Sequence, residues 1–231
     1  MKGLKNRGES KTYYVAPNSG KLTLSSKTER EGYVRKEFVD TSGKVTVKYV
    51  MEFDQLTVKL KDAKSESTDY GKRWVVKGVA DDEVYFLQFK YSSGYSKSFF
   101  KQLEMVDLSK PVTITASYKE EEYDGRTVKN SALWIAQDGK WVGFKYTKDN
   151  PGDLPAEELI TVKGEEVKDD TKMLAYFETV ATKIFNELKL KEDQQDAEDF
   201  MTSEIDGSEV QIPAGAAAAS TQVLEDDDLP F

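Results

Sequence analysis

The chain has 231 residues, 42 of them acidic and 33 basic, for a net charge of -9, and it contains neither cysteine nor histidine. Disulfides, thiolate nucleophiles and Cys-based metal centres are therefore excluded, together with every Ser-His-Asp or Cys-His mechanism. No apolar run reaches the roughly 20 residues of a membrane span, and residues 1–10 lack the apolar core of a signal peptide, so the expectation is a soluble, cytoplasmic protein with no membrane partner.

From residue 12 to 146 the pattern is short, alternating, β-branched and aromatic, which predicts strands over 12–16, 21–25, 33–39, 45–53, 56–61, 73–79, 84–91, 112–119, 127–136 and 141–146. Val45, Val47 and Tyr49 alternate with Lys44, Thr46 and Lys48, and Leu56, Val58 and Leu60 alternate with Thr57, Lys59 and Lys61. That period of two belongs to sheets with one wet face. The pairs Asp124-Gly125 and Asp138-Gly139 supply the positive torsions of tight hairpins, so 112–146 reads as a three-stranded meander. Between 96 and 105 the period changes, placing Phe99, Phe100 and Leu103 on one side of a short helix. Strands, one short helix and a meander predict a mainly β protein: an OB-fold-like small barrel with extra N-terminal strands, over residues 1–150.

After the breaker at 150–155 comes a strongly helical stretch. Met173, Phe177, Val180, Ile184 and Leu188 recur at three- and four-residue steps, flanked by Leu174, Ala181 and Phe185. Asp169, Asp170 and Thr171 offer capping oxygens at its start. Residues 151–191 are thus a linker plus one amphipathic helix, packed on the barrel or on a partner subunit. From Glu192 onward there are twelve carboxylates and no Lys or Arg, and the middle of this segment, 213–222, is an alanine-rich spacer. Such a composition predicts a disordered acidic tail over 192–231.

Charge is segregated along the chain. Residues 1–150 hold 27 Lys and Arg against 21 Asp and Glu, while residues 151–231 hold 6 against 21. The body also pairs its cations with flat side chains: Lys72, Arg73 and Trp74; Lys77, Lys90 and Tyr91; Tyr95 and Lys97; Tyr118 and Lys119; Tyr123, Arg126 and Lys129; Trp134 and Trp141, with Lys48 on a separate strand. Aromatic faces stack on unpaired bases and cations track phosphates, so these residues form the expected nucleic-acid-binding set. For any one of them, a place in the core or on plain surface is the competing reading. A tethered acidic tail reaches an effective concentration of roughly millimolar and would compete for such a basic surface.

Several chemistries lack their motifs. There is no Gly-x-Gly-x-x-Gly, no phosphate-binding Gly-x-x-x-x-Gly-Lys-Ser/Thr and no His-Glu-x-x-His. Asp81, Asp82 and Glu83 read as a turn, and Glu120, Glu121 and Glu122 as a solvated hairpin tip. Residues 193–198 lack the glycine a calcium loop needs at its sharp turn. No catalytic residue, metal site or cofactor is expected.

The last six residues, Asp226, Asp227, Asp228, Leu229, Pro230 and Phe231, resemble the acidic tip of bacterial single-stranded DNA-binding proteins, where aspartates precede Ile-Pro-Phe; here Leu229 replaces the isoleucine. The whole plan is similar to that of phage single-stranded DNA-binding proteins, which have one barrel, a helix and linker, and an acidic tail ending in phenylalanine. The resemblance implies a non-enzymatic protein that coats single-stranded DNA during replication, recombination or repair, in a host cytoplasm if phage-encoded, with homo-oligomers possible. It implies that Phe231 enters a hydrophobic pocket on partner proteins, with Pro230 and Leu229 beside it and the three aspartates on a basic ridge. The body does not align with the bacterial proteins, which favours a phage-type or divergent member. Two rivals stand beside this reading: a protein-interaction or virion structural module that binds no nucleic acid, and a carboxylate-metal nuclease.

Overall fold

A computed structural model describes residues 11–39, 43–123, 126–162 and 165–205. The alternating segments pair into a ten-stranded sheet built from β1 (Thr12–Asn18), β2 (Lys21–Ser26), β3 (Val34–Val39), β4 (Val45–Phe53), β5 (Gln55–Thr68), β6 (Gly71–Ala80), β7 (Glu83–Lys90), β8 (Val112–Tyr123), β9 (Arg126–Gln137) and β10 (Lys140–Trp141). Helix α1 (Gly94–Leu103) joins β7 to β8, a hairpin of β11 (Glu158–Val162) and β12 (Glu165–Asp169) follows, and α2 (Thr171–Ile205) closes the described chain. The fold is mainly β, with an open sheet in the order β10-β9-β8-β5-β6-β7-β1-β2-β4-β3.

The expected extra strands at the N-terminus occupy one end of the sheet, in the order β1-β2-β4-β3 beyond β7. β1 lies inside the sheet, parallel to β7 and antiparallel to β2. Tyr13 and Val15 enter the core register opposite Tyr85 and Leu87, so the segment completes the sheet because its apolar positions would otherwise face water. β5 is long enough to serve two partners. Residues 55–58 pair with β8, and from Lys59 onward the strand pairs with β6, with a bulge between Leu60 and Asp62. The bulge bends the strand and lets the sheet curl. At the β9–β10 turn Asp138 and Gly139 both have positive φ, as a two-residue hairpin requires. Asp124 and Gly125 lie outside the described residues.

One face of the sheet is covered by helices. Phe99, Phe100 and Leu103 of α1 are fully buried against Trp74 and Phe89, and Phe177 of α2 stacks on Phe100 with ring centroids 5.5 Å apart. Each such phenyl contributes about 1.5–3 kcal/mol by leaving water. Around this apolar seam α2 is tied by Lys72 to Glu178 at 2.5 Å, and its approach is tied by Lys97, which reaches Glu157 at 2.6 Å and Asp170 at 2.9 Å. Asp169 Oδ1 accepts the Thr171 N–H at 2.9 Å at the helix start.

Three expectations are corrected. The strand expected over 141–146 ends at Trp141, because Tyr146 is buried and its hydroxyl meets that of Tyr176 on α2 at 2.8 Å, which draws the chain away from the sheet. The expected linker contains the β11–β12 hairpin, five register pairs long. Helix α2 continues past Lys191 to Ile205, through acidic residues assigned to the tail; extending an existing helix needs no new nucleus, and glutamate is a good helix former. Contacts divide the chain into Met1–Lys191 and Glu192–Phe231. Of the second unit only the helical residues 192–205 are described.

Candidate nucleic-acid interface

Strand register decides which side chains share the face away from the helices. Trp74 and Val76 of β6 and Leu87 and Phe89 of β7 point to the core. Their neighbours in the chain therefore point outward. Across that outer face Asp62, Lys77, Phe86 and Tyr14 form one row over β5, β6, β7 and β1, and Glu66, Arg73 and Lys90 form another. Lys59 and Lys64 lie on the same face of β5, opposite Val79 and Val75. Five cations thus stand among two carboxylates, a positive surface. Arg73 is held by Glu66 at 3.3 Å and Gln88 at 3.2 Å, whereas among the described residues Lys59, Lys77 and Lys90 have no carboxylate partner. Tyr14, 60% exposed, stacks on Phe86 with centroids 5.4 Å apart. Flat rings beside unpaired cations can hold unstacked bases and their phosphates.

A second aromatic group lies on the outer face of β9 and β10. Trp134, Trp141 and Phe144 line a shallow hollow with Val142 and Gly143. The indoles of Trp134 and Trp141 meet edge to face at 6.5 Å, and Phe144 lies 5.5 Å from Trp134. Trp134 Nε1 donates to Ser117 Oγ at 2.8 Å, fixing the ring on the surface. Trp134 is 37% exposed and Trp141 66%.

The structure divides the expected binding set. Arg73, Lys77 and Lys90 come together on the outer face, and Trp134 and Trp141 form their own cluster. Trp74 is a correction: it is 1% exposed, stacked on Tyr91 at 5.5 Å and packed on Phe100 at 4.1 Å, so no base can reach it. Tyr95 is likewise buried, its hydroxyl accepting the Gly20 N–H at 3.4 Å. Lys72 sits 4.2 Å above the Tyr91 ring while bound to Glu178, and Lys97 is bound to Glu157 and Asp170, so all three residues serve the docking of α2. The Glu178 carboxyl is pushed up by burial but held below the usual range by Lys72 and Ser65, and Lys97 holds Glu157 low.

Toward the β8–β9 tip, opposite charges cancel. Lys119 pairs with Glu121, Lys129 lies 3.3 Å from Glu120, and the Tyr118 hydroxyl donates to Glu120. The side chains of Tyr123 and Arg126 lie outside the described residues, as does the whole tip from Asp226 to Phe231. Lys48 stands opposite Lys36 on the β3–β4 hairpin, separated from β7 by β1 and β2.

Sequence reasoning missed Tyr14 and Phe86, whose pairing arises only from the parallel β1–β7 register. It also missed Tyr70, which is fully exposed at the β5–β6 turn. A cleft of about 570 Å³ lined by residues of β1, β2, β4, β5 and β7 escaped as well. Its walls include Tyr13, Tyr33, Met51, Phe53, Tyr85 and Arg30. Tyr13 stacks on Tyr85 at 5.2 Å, and both hydroxyls donate to Glu83, at 3.2 and 2.6 Å. Burial, then Glu83, pushes the Tyr85 hydroxyl up to about 12. The signal available in the sequence was the alternation of Tyr13 with Tyr14 and of Tyr85 with Phe86, one ring to each face.

Among the described residues no three acidic side chains gather into a cation site, and no helix is long and apolar enough to cross a membrane. Compared with known protein families, curated proteins and solved structures, the chain matches none.

Proposed function

We propose that this protein binds single-stranded DNA without reading its sequence, coats strands exposed during replication, recombination or repair, and recruits partner proteins through its last six residues. The observation that carries this reading is the outer row of Lys77, Phe86 and Tyr14, with Arg73 and Lys90 on the same face. It unites a stacking platform with unpaired cations, which together suit a flexible polyanion with exposed bases. The strand connectivity adds support. β5, β6 and β7 form a meander, α1 follows, β8 returns to β5, and β1 runs parallel to β7. A meander, a helix and a returning strand support the reading of this part as OB-like, with the strand beside β7 supplied from the N-terminal side.

The partner role rests on the composition of residues 226–231. Leu229, Pro230 and Phe231 behind three aspartates resemble the partner-docking tip described above, and a short apolar motif beside charge gives modest affinity and easy exchange among partners.

The test is a titration with poly-dT at two salt concentrations, using the full chain and a form ended after Ile205. The expected result is binding that weakens steeply with salt and strengthens when the residues beyond Ile205, which hold six of the twelve carboxylates, are removed. Absence of binding by both forms overturns the reading. It would then favour a protein-interaction or virion module, for which the exposed Val34, Val39, Val45 and Val47 of the β3–β4 hairpin are the specific observation.

A further inference from the structure

Resting on the single-strand reading, we infer that a bound strand is held at two separate aromatic pads on one continuous outer surface. One pad is the stacked pair of Tyr14 and Phe86; the other is the Trp134–Trp141 cluster. The two are joined by hydrogen-bonded strands. Trp134 stands opposite Thr115, Thr115 opposite Gln55, and β5 then runs through its bulge to Asp62, opposite Lys77, which stands opposite Phe86. All of these side chains share the outer face.

The path between the pads is polar and fitted for a backbone rather than for bases. It carries Lys59, Lys77, the carboxylate of Asp62 beside Lys77, and a pair of touching hydroxyls, Thr57 and Thr113, 2.9 Å apart. No ring interrupts it. Counting about 4.8 Å per strand step and about 3.3 Å per residue along β5, the pads are roughly 25–30 Å apart over the surface. At the duplex rise of about 3.4 Å per nucleotide this is about eight nucleotides, fewer when the strand is drawn out, and within the roughly 4–16 typical of one barrel.

Two pads on one ligand make the second contact intramolecular. Affinity should therefore rise in a step once the strand is long enough to reach both, by about a hundredfold or more beyond the smooth gain from added charge. A strand too short to span them uses one pad at a time.

The experiment is a series of oligo-dT from about four to about twelve nucleotides, measured at constant salt with the full chain and with Trp141→Ala and Tyr14→Ala. Both substituted side chains are largely exposed, so the fold should be retained, and circular dichroism checks this. The expected result is a step in the intact chain that either substitution abolishes, while binding of the shortest oligonucleotide falls about twofold or less. Equal loss at all lengths, or a smooth length profile in the intact chain, overturns the two-pad arrangement while leaving single-strand binding in place. Absence of binding at every length overturns the single-strand reading itself.

Discussion

Gln102 of α1, fully buried, makes two hydrogen bonds to β9: its Nε2 donates to the Leu133 carbonyl at 2.8 Å and its Oε1 accepts the Ile135 N–H at 2.9 Å. Ser98 Oγ accepts the Leu133 N–H at 2.8 Å alongside. The helix thus satisfies the strand's edge groups where no further strand pairs. Replacing Gln102 with Leu leaves a buried N–H and C=O without partners, each costing about 1–3 kcal/mol. Urea denaturation should show a clear fall in midpoint for Gln102→Leu and little change for Lys101→Ala one position away.

Phe177 closes the core between α2 and α1. Truncating it to Ala removes the stack on Phe100 and leaves a cavity, so stability should fall by about 3–5 kcal/mol. Equilibrium unfolding checks this. A loss below about 1 kcal/mol would show that α2 is not part of the cooperative core.

The three tryptophans should answer a bound strand differently. Trp74 is sealed beneath Tyr91 and Phe100, whereas Trp134 and Trp141 are open to solvent. On saturation with poly-dT, quenching should persist in Trp74→Phe and disappear in the double variant Trp134→Phe, Trp141→Phe. Steady-state fluorescence on each variant decides it.

Phe86 and Tyr14 carry the stacking part of the proposed interface. Changing either to Ala should weaken single-strand binding by about 1–3 kcal/mol, the range for one base on one ring. The dependence on salt should stay the same, since no phosphate contact is lost. Lys77→Ala should do the reverse, with a modest loss and a shallower salt slope.

Acid should loosen the anchoring of α2. Glu178 and Glu157 have folded-state values below the usual 4.5, held down by Lys72 and Lys97 against the opposing effect of burial. A depressed carboxyl contributes stability that is present above its unfolded value and is lost as pH falls through the folded one. Stability should accordingly decline from about pH 5 downward, and Glu157→Gln with Glu178→Gln should flatten that decline while lowering stability at neutral pH. Chemical denaturation at three pH values checks the sign.

Much of the fold is legible in local pattern. The period of two in Val45, Val47 and Tyr49 marks β4 with the bounds the structure has, and the three- and four-residue spacing of Met173, Phe177 and Val180 marks the buried face of α2. The helix follows from the sequence because a half-buried element must carry its apolar residues at its own period, whereas in β4 Val45 and Val47 are exposed and the buried residue is Val50 on the opposite face. The absence of cysteine and histidine chemistry and the acid-rich C-terminal segment are likewise properties of the chain itself.

Which aromatic faces water was decided only by tertiary structure. Trp74 and Trp134 both sit within strands, Trp74 between Arg73 and Val75 and Trp134 between Leu133 and Ile135, yet one is sealed beneath Tyr91 and Phe100 and the other lies open. Local sequence cannot tell them apart, because Trp74 is covered by Tyr91 and by Phe100 of α1, itself backed by Phe177 a hundred residues further along the chain. The same holds for Lys72, a cation in sequence and an anchor for Glu178 in space, and for Tyr14 and Phe86, brought together by a parallel pairing that no turn connects. Alternation assigns a side chain to one of two faces; only the packing of the whole chain determines which face is the core.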